Sequence, residues 1–143
     1  MNKTMIVSVI SRKLAPFVLL FGFYLVSYGY LTPGGGFQGG VVIASGLILI
    51  MLGQEPERVN RFVNVRLFGL VEAFSLLTFI LLGTAGLLIG AGFLRVLFHA
   101  GSGGNIEDAG FIFVLNLVIG MKVGAGITVI CYRLFLARET PRE

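Results

Sequence analysis

Charge is scarce in this chain. Of its 143 residues only 13% are Asp, Glu, Lys or Arg, against about 25% in soluble domains, so a soluble class is excluded. Histidine and cysteine each occur once, as His99 and Cys131. A single cysteine excludes an intrachain disulfide, and within its apolar run Cys131 reads as a small buried hydrophobe. One histidine with one cysteine leaves no ligand set for zinc, so no metal site is expected. There is no nucleophile–base constellation and no phosphate loop. The glycines at 34–40 make no dinucleotide fingerprint, because no strand precedes them. Neither an enzyme active site nor a cofactor site is expected. Arg12 and Lys13 precede an apolar run, but nothing like A-x-A follows, so no cleavable signal is expected. The net charge of +4 does not point to nucleic acid, because the basic residues sit at the ends of apolar runs, where they anchor and orient membrane segments.

What the chain has instead is apolar length. Its hydrophobic fraction is 56% and its mean hydropathy +0.94. The apolar residues come in long continuous runs rather than in alternation, which excludes a β-barrel and predicts an all-α integral membrane protein in the cell membrane. Four spans are predicted, at about 14–30, 37–52, 67–94 and 111–132, within a single transmembrane domain over 1–143. Residues 1–13 read as an interfacial lead, with Pro16 in the first turn of the span that follows, where its missing N–H costs nothing. The connection at 53–66 is the most polar stretch. Lys3, Arg12, Lys13, Arg58, Arg61, Arg66, Arg133, Arg138 and Arg142 fall on one side of this arrangement and Arg95 alone on the other. The positive-inside rule then predicts cytoplasmic termini, with the loop around His99 and the turn at 31–36 facing outward.

That turn opens the stretch around which the rest is arranged: Tyr30-Leu31-Thr32-Pro33-Gly34-Gly35-Gly36-Phe37-Gln38-Gly39-Gly40. A proline followed by three glycines is a poor helix and a good turn. The span after it is short for a bilayer, so Gly34 to Gly36 are expected at membrane depth, packed against protein. Gly35 and Gly39, Gly36 and Gly40, and Gly40 and Ala44 are four apart, as are Gly86 and Gly90, and Gly120 and Gly124. Small residues at that spacing let helix backbones touch. The functional alternative is that the broken helix entry exposes backbone groups to a water-filled cavity and shapes an ion route.

Two ionisable residues fall inside spans, Lys122 in the fourth and Glu72 in the third. Charges there cost roughly 2.5–3.5 kcal/mol or more, which makes both candidates for ion translocation. At about 1.5 Å per residue their depths differ by only ~6 Å, within reach of a lysine stem. Three readings stay open: a buried tie between the two, a snorkelling Glu72 beside a singular Lys122, or a role for both in proton or cation movement against other subunits. Glu107 and Asp108 read as acids stabilising the start of the fourth helix, and His99 as an ordinary loop histidine.

The stretch from Tyr30 to Gly40 resembles the Pro-Gly-Gly-Gly-Phe motif of the MnhB/MrpB family, whose members are subunits of Mrp-type multisubunit sodium/proton antiporters. The same module also occurs in archaeal membrane-bound hydrogenases and sulfur reductases. Asn116-Leu117-Val118-Ile119-Gly120-Met121-Lys122-Val123-Gly124-Ala125-Gly126 is similar to the last span of that family. Many members carry a His or charged residue ahead of the motif, where Tyr30, Leu31 and Thr32 stand here. The resemblance implies a non-catalytic subunit beside other small Mrp-type subunits and a larger antiporter-like subunit, in a lipid bilayer, in an assembly that exchanges Na⁺ for H⁺. It marks Pro33, Gly34, Gly35, Gly36, Phe37, Gly39, Gly40 and Lys122 as the residues of interest. Two alternatives remain: a packing subunit with no direct part in ion conduction, and an unrelated small membrane protein acting as a homo-oligomer.

Overall fold

The structure, a computed structural model, describes residues 5–29, 35–54, 59, 61, 63–88 and 106–139, with side chains except at 86, 106–111 and 138–139. The described residues form four helices, α1 (Met5–Tyr28), α2 (Gly35–Gly53), α3 (Val65–Leu88) and α4 (Ile106–Glu139). Each contains a segment long and apolar enough to cross a membrane. The protein is an all-α, multi-pass membrane protein.

The helices begin earlier than the apolar runs suggest. α1 is continuous from Met5, so the lead is its first turns and Pro16 lies in the helix interior. Proline there removes one backbone hydrogen bond, a loss that membrane helices tolerate when neighbouring groups readjust. Packing begins at Ser11, which is buried with its Cβ 2.7 Å from where a side chain on Gly53 would begin, while Met5, Ile6 and Ile10 before it are exposed. α4 starts at Ile106, so Glu107 and Asp108 stand in its first turn; their side chains lie outside the described residues. α3 is described to Leu88, and the expected continuation to 94, the loop with Arg95 and His99, and Gly90 lie outside the described residues.

α2 packs closely on both α1 and α4 because it is rich in residues with little or no side chain. Gly35, Gly36, Gly39, Gly40, Ala44, Gly46 and Gly53 are all buried. Those at 39, 46 and 53 repeat every seven residues and face α1: Gly39 meets Val26 and Gly22, Gly46 meets Leu19, and Gly53 meets Ser11. The rising numbers on α2 pair with falling numbers on α1, so the two are antiparallel. A second face, Gly36 and Gly40, meets Asn116 and Gly120 on α4. Here both numbers rise together, so α2 and α4 run parallel.

α3 packs chiefly on α4. Asn64 caps it: its Oδ1 accepts hydrogen bonds from the N–H groups of Arg66 (3.2 Å) and Leu67 (3.3 Å), which satisfies two of the donors that every helix start leaves free. Below the cap, Met51, Val59, Val63 and Tyr132 form an apolar cluster that ties the end of α2, the connection and the end of α4 together. Elsewhere α3 is largely uncovered. Leu70, Phe74 (72% exposed) and Leu81 face outward, as do Phe17 and Leu20 on α1. Such faces suit lipid or a neighbouring chain.

Candidate functional site

Most polar side chains inside the spans are satisfied by their own helix. Ser45, Ser75, Thr78 and Thr128 each donate a hydrogen bond to the carbonyl four residues back, at 2.6–2.9 Å. This local bonding uses the one donor that each hydroxyl has. Three other polar side chains bear on the site: Glu72, Lys122 and Asn116.

Glu72 is half-buried on α3, and Lys122 is half-buried on α4. The Glu72 carboxylate lies against Gly126, with Oε1 3.1 Å from the position a Cβ would take on that glycine. Lys122 is four residues before Gly126, so the two share one face of α4, about 6 Å apart along its axis. The structure therefore brings the acid and the base to neighbouring levels of one helix seam. No ion pair or hydrogen bond joins them or engages either among the described residues.

The glycine stripe of α4 lies elsewhere on the helix. Lys122 is two residues past Gly120, and Gly126 two past Gly124, which is about 200° round an α-helix. α4 therefore turns its glycines to α2 and its lysine, with Gly126, to α3. The two features that stand out in the sequence of this helix serve opposite sides of it.

Asn116 sits at the entry of α2. A Cβ on Gly36 would fall 2.6 Å from the Asn116 carbonyl oxygen, and one on Gly29 would fall 3.0 Å from Asn116 Nδ2. That Nδ2 is buried and has no hydrogen-bond partner among the described residues. Gly35 is wedged against Gly29 and the Leu25 carbonyl. Gly35, Gly36, Gly39 and Gly40 thus all stand in backbone contact, while Phe37 is exposed; Pro33 and Gly34 lie outside the described residues. Neither Asn116 nor Gly126 stands out in the sequence as a site residue. The available signal was register: Asn116 is four before Gly120, and Gly126 is four after Lys122.

An apolar cavity of about 220 Å³ lies among the helices, lined by residues that include Val26, Ile43, Phe68, Val71, Met121 and Ala125. Its lining includes neither Glu72 nor Lys122. Its lining is apolar and it opens to the surface of the bundle. Among the described residues no group of three or more His, Cys, Asp or Glu could hold a metal.

Fold and site define a multi-pass membrane protein that packs its interior through glycine and keeps one acid and one base within its spans. The chain belongs to the family described as a domain related to the MnhB subunit of Na⁺/H⁺ antiporter, whose sequence profile matches residues 6–129. It is 32% identical over 139 residues to an uncharacterized protein of Methanocaldococcus jannaschii, covering 92% of this chain and 52% of that one. It is 38% identical over 85 residues to the B-type subunit of the Na⁺/H⁺ antiporter of Bacillus subtilis, covering 59% of each. Among solved structures it matches a chain of the membrane-bound sulfane sulfur reductase, an archaeal respiratory membrane complex, with a TM-score of 0.67 and 31% identity over 94% of this chain and 60% of that one. The chain therefore spans between 52% and 60% of the length of these relatives.

Proposed function

We propose that this chain, acting as one transmembrane unit over 1–143, is a small subunit of a multisubunit Na⁺/H⁺ antiporter module within an energy-converting respiratory complex. Its relatives' names support the module, and the likeness to the sulfane sulfur reductase chain supports the respiratory setting. In this reading the chain contributes to sodium and proton translocation and is not itself catalytic. Its partners are other small Mrp-type subunits and a larger antiporter-like subunit, and any redox chemistry belongs to further subunits of the complex. The distribution of Lys and Arg supports cytoplasmic termini.

One observation carries the translocation role. Glu72 and Lys122 meet the same seam at nearby levels, half-buried and, among the described residues, unpaired. Keeping two such charges inside a bilayer without pairing them is costly, and membrane proteins do so along ion and proton paths. The uncovered face of α3 leaves room along the α3–α4 seam for a neighbouring chain to complete a water path to them.

A second reading, a packing subunit, is favoured by the backbone contacts of α2 and the bare apolar faces of α1 and α3. Sodium-dependent proton transport by the reconstituted complex decides between them, with Lys122→Ala and Lys122→Arg beside the wild type and assembly checked on each. Translocation predicts that alanine abolishes transport in an intact complex and that arginine restores part of it. Normal transport in both variants, or loss only through disassembly, leaves the packing role.

A further inference from the structure

Glycine at 126 has no counterpart on α2. Gly120 and Gly124 lie against Gly36 and Gly40, and their lack of a side chain is explained by that contact. The atoms nearest a Cβ on Gly126 all belong instead to one side chain, the Glu72 carboxyl group, with Oε1 at 3.1 Å, Cδ at 3.3 Å and Oε2 at 3.7 Å. We infer that Gly126 is a positioning residue: its bare backbone is the seat that holds the Glu72 carboxylate on α4, one turn from Lys122. The inference deepens the translocation reading and rests on it for its functional consequence.

Steric reasoning gives the seat its direction. A Cβ at 126 makes the carboxylate give by a few tenths of an ångström, and a larger side chain there takes the space the carboxylate now fills and displaces it from the helix that carries Lys122. α3 packs chiefly on α4. Among the described side chains of α4 the titratable or charged ones are Lys122, Cys131, Tyr132 and Arg133. Arg133 is seven residues beyond Gly126, about 10 Å along the axis, and Cys131 and Tyr132 are only slightly nearer. Lys122, four residues away, is therefore the cation of α4 nearest along the axis to a carboxylate seated on Gly126. A carboxylate displaced from Gly126 loses that proximity, and with it any exchange of charge or proton with the lysine. Gly69, on α3, has open space around it, with nothing within 4 Å of a built Cβ. It serves as a control glycine.

The test uses the whole complex with Gly126→Ala, Gly126→Val and Gly69→Ala, each with Glu72 and with Glu72→Asp. Two readouts are taken: sodium-driven proton transport, and the rate at which a membrane-soluble carbodiimide labels residue 72, read by mass of the peptide. The expected result is a crossing pattern. Glu72→Asp alone lowers transport, because the shorter carboxylate no longer reaches its seat. Gly126→Val also lowers it, and adding Glu72→Asp restores part of what was lost, because the shorter acid fits beside the new side chain. Gly126→Val exposes the carboxyl group and speeds its labelling severalfold, Gly126→Ala does so less, and Gly69→Ala leaves it unchanged. Labelling that is the same in both Gly126 variants as in the wild type overturns the inference. If labelling changes as expected while Lys122→Ala transports normally, the seat stands and the translocation reading of the pair falls.

Discussion

Gly40 and Gly120 are in backbone contact across α2 and α4: a Cβ built on Gly40 would lie 2.6 Å from the Gly120 carbonyl oxygen. Four residues earlier the same relationship joins Gly36 to Asn116. Because the obstructing atoms are backbone, they cannot swing aside. Gly40→Val is therefore expected to destabilise the protein by about 1–3 kcal/mol, the usual cost of forcing volume into a packed contact. Thermal unfolding of the solubilised complex measures this, with Gly69→Ala, in open space on α3, expected to cause no loss. An unchanged midpoint for Gly40→Val would refute the contact.

Glu72 and Lys122 are close in level but not joined. Breaking a true buried ion pair costs about 3–5 kcal/mol. Here a double-mutant cycle of Glu72→Gln and Lys122→Met, read as unfolding free energy, is expected to give a coupling below about 1 kcal/mol. A coupling of several kcal/mol would mean that the two are tied in the assembled protein.

The Asn116 amide places a buried donor, Nδ2, with no partner beside Gly29. Removing a donor that makes no hydrogen bond forfeits none. Asn116→Ala is expected to cost less than about 1 kcal/mol in thermal stability. A larger loss would show that the amide is bonded in the complex, to another chain or to water.

The Asn64 cap bonds Arg66 and Leu67 N–H through one oxygen. Asn64→Ala is expected to destabilise α3 by about 1 kcal/mol, and Asn64→Asp, which keeps an acceptor, by much less. Hydrogen exchange at the first turn of α3 is the direct readout; equal protection in both variants would exclude the cap.

Much of this molecule is legible along the chain. The four helices follow from apolar run length, since a bilayer leaves the backbone no other way to satisfy its hydrogen bonds. The small-residue pairs on α2 and α4 announce close contact, and Gly35, Gly36, Gly39, Gly40, Gly120 and Gly124 make it. Helix starts were less legible. Apolar runs mark where lipid is, whereas α1 and α4 extend beyond them: Ser11 is held by Gly53, and Ile106 begins a helix whose first turn carries two acids.

The sequence by itself determined the class, the four apolar runs and the one acid and one base that fall within two of them, because hydropathy and charge are properties of residues one at a time. Only the tertiary structure decided what those residues meet. Which glycine faces a backbone and which faces a carboxylate depends on the rotation of α4 between two neighbours, and residues two apart on that helix look in nearly opposite directions. That rotation is set jointly by the Gly36–Asn116 and Gly40–Gly120 contacts on one side and by α3 on the other. No single stretch of the chain contains both.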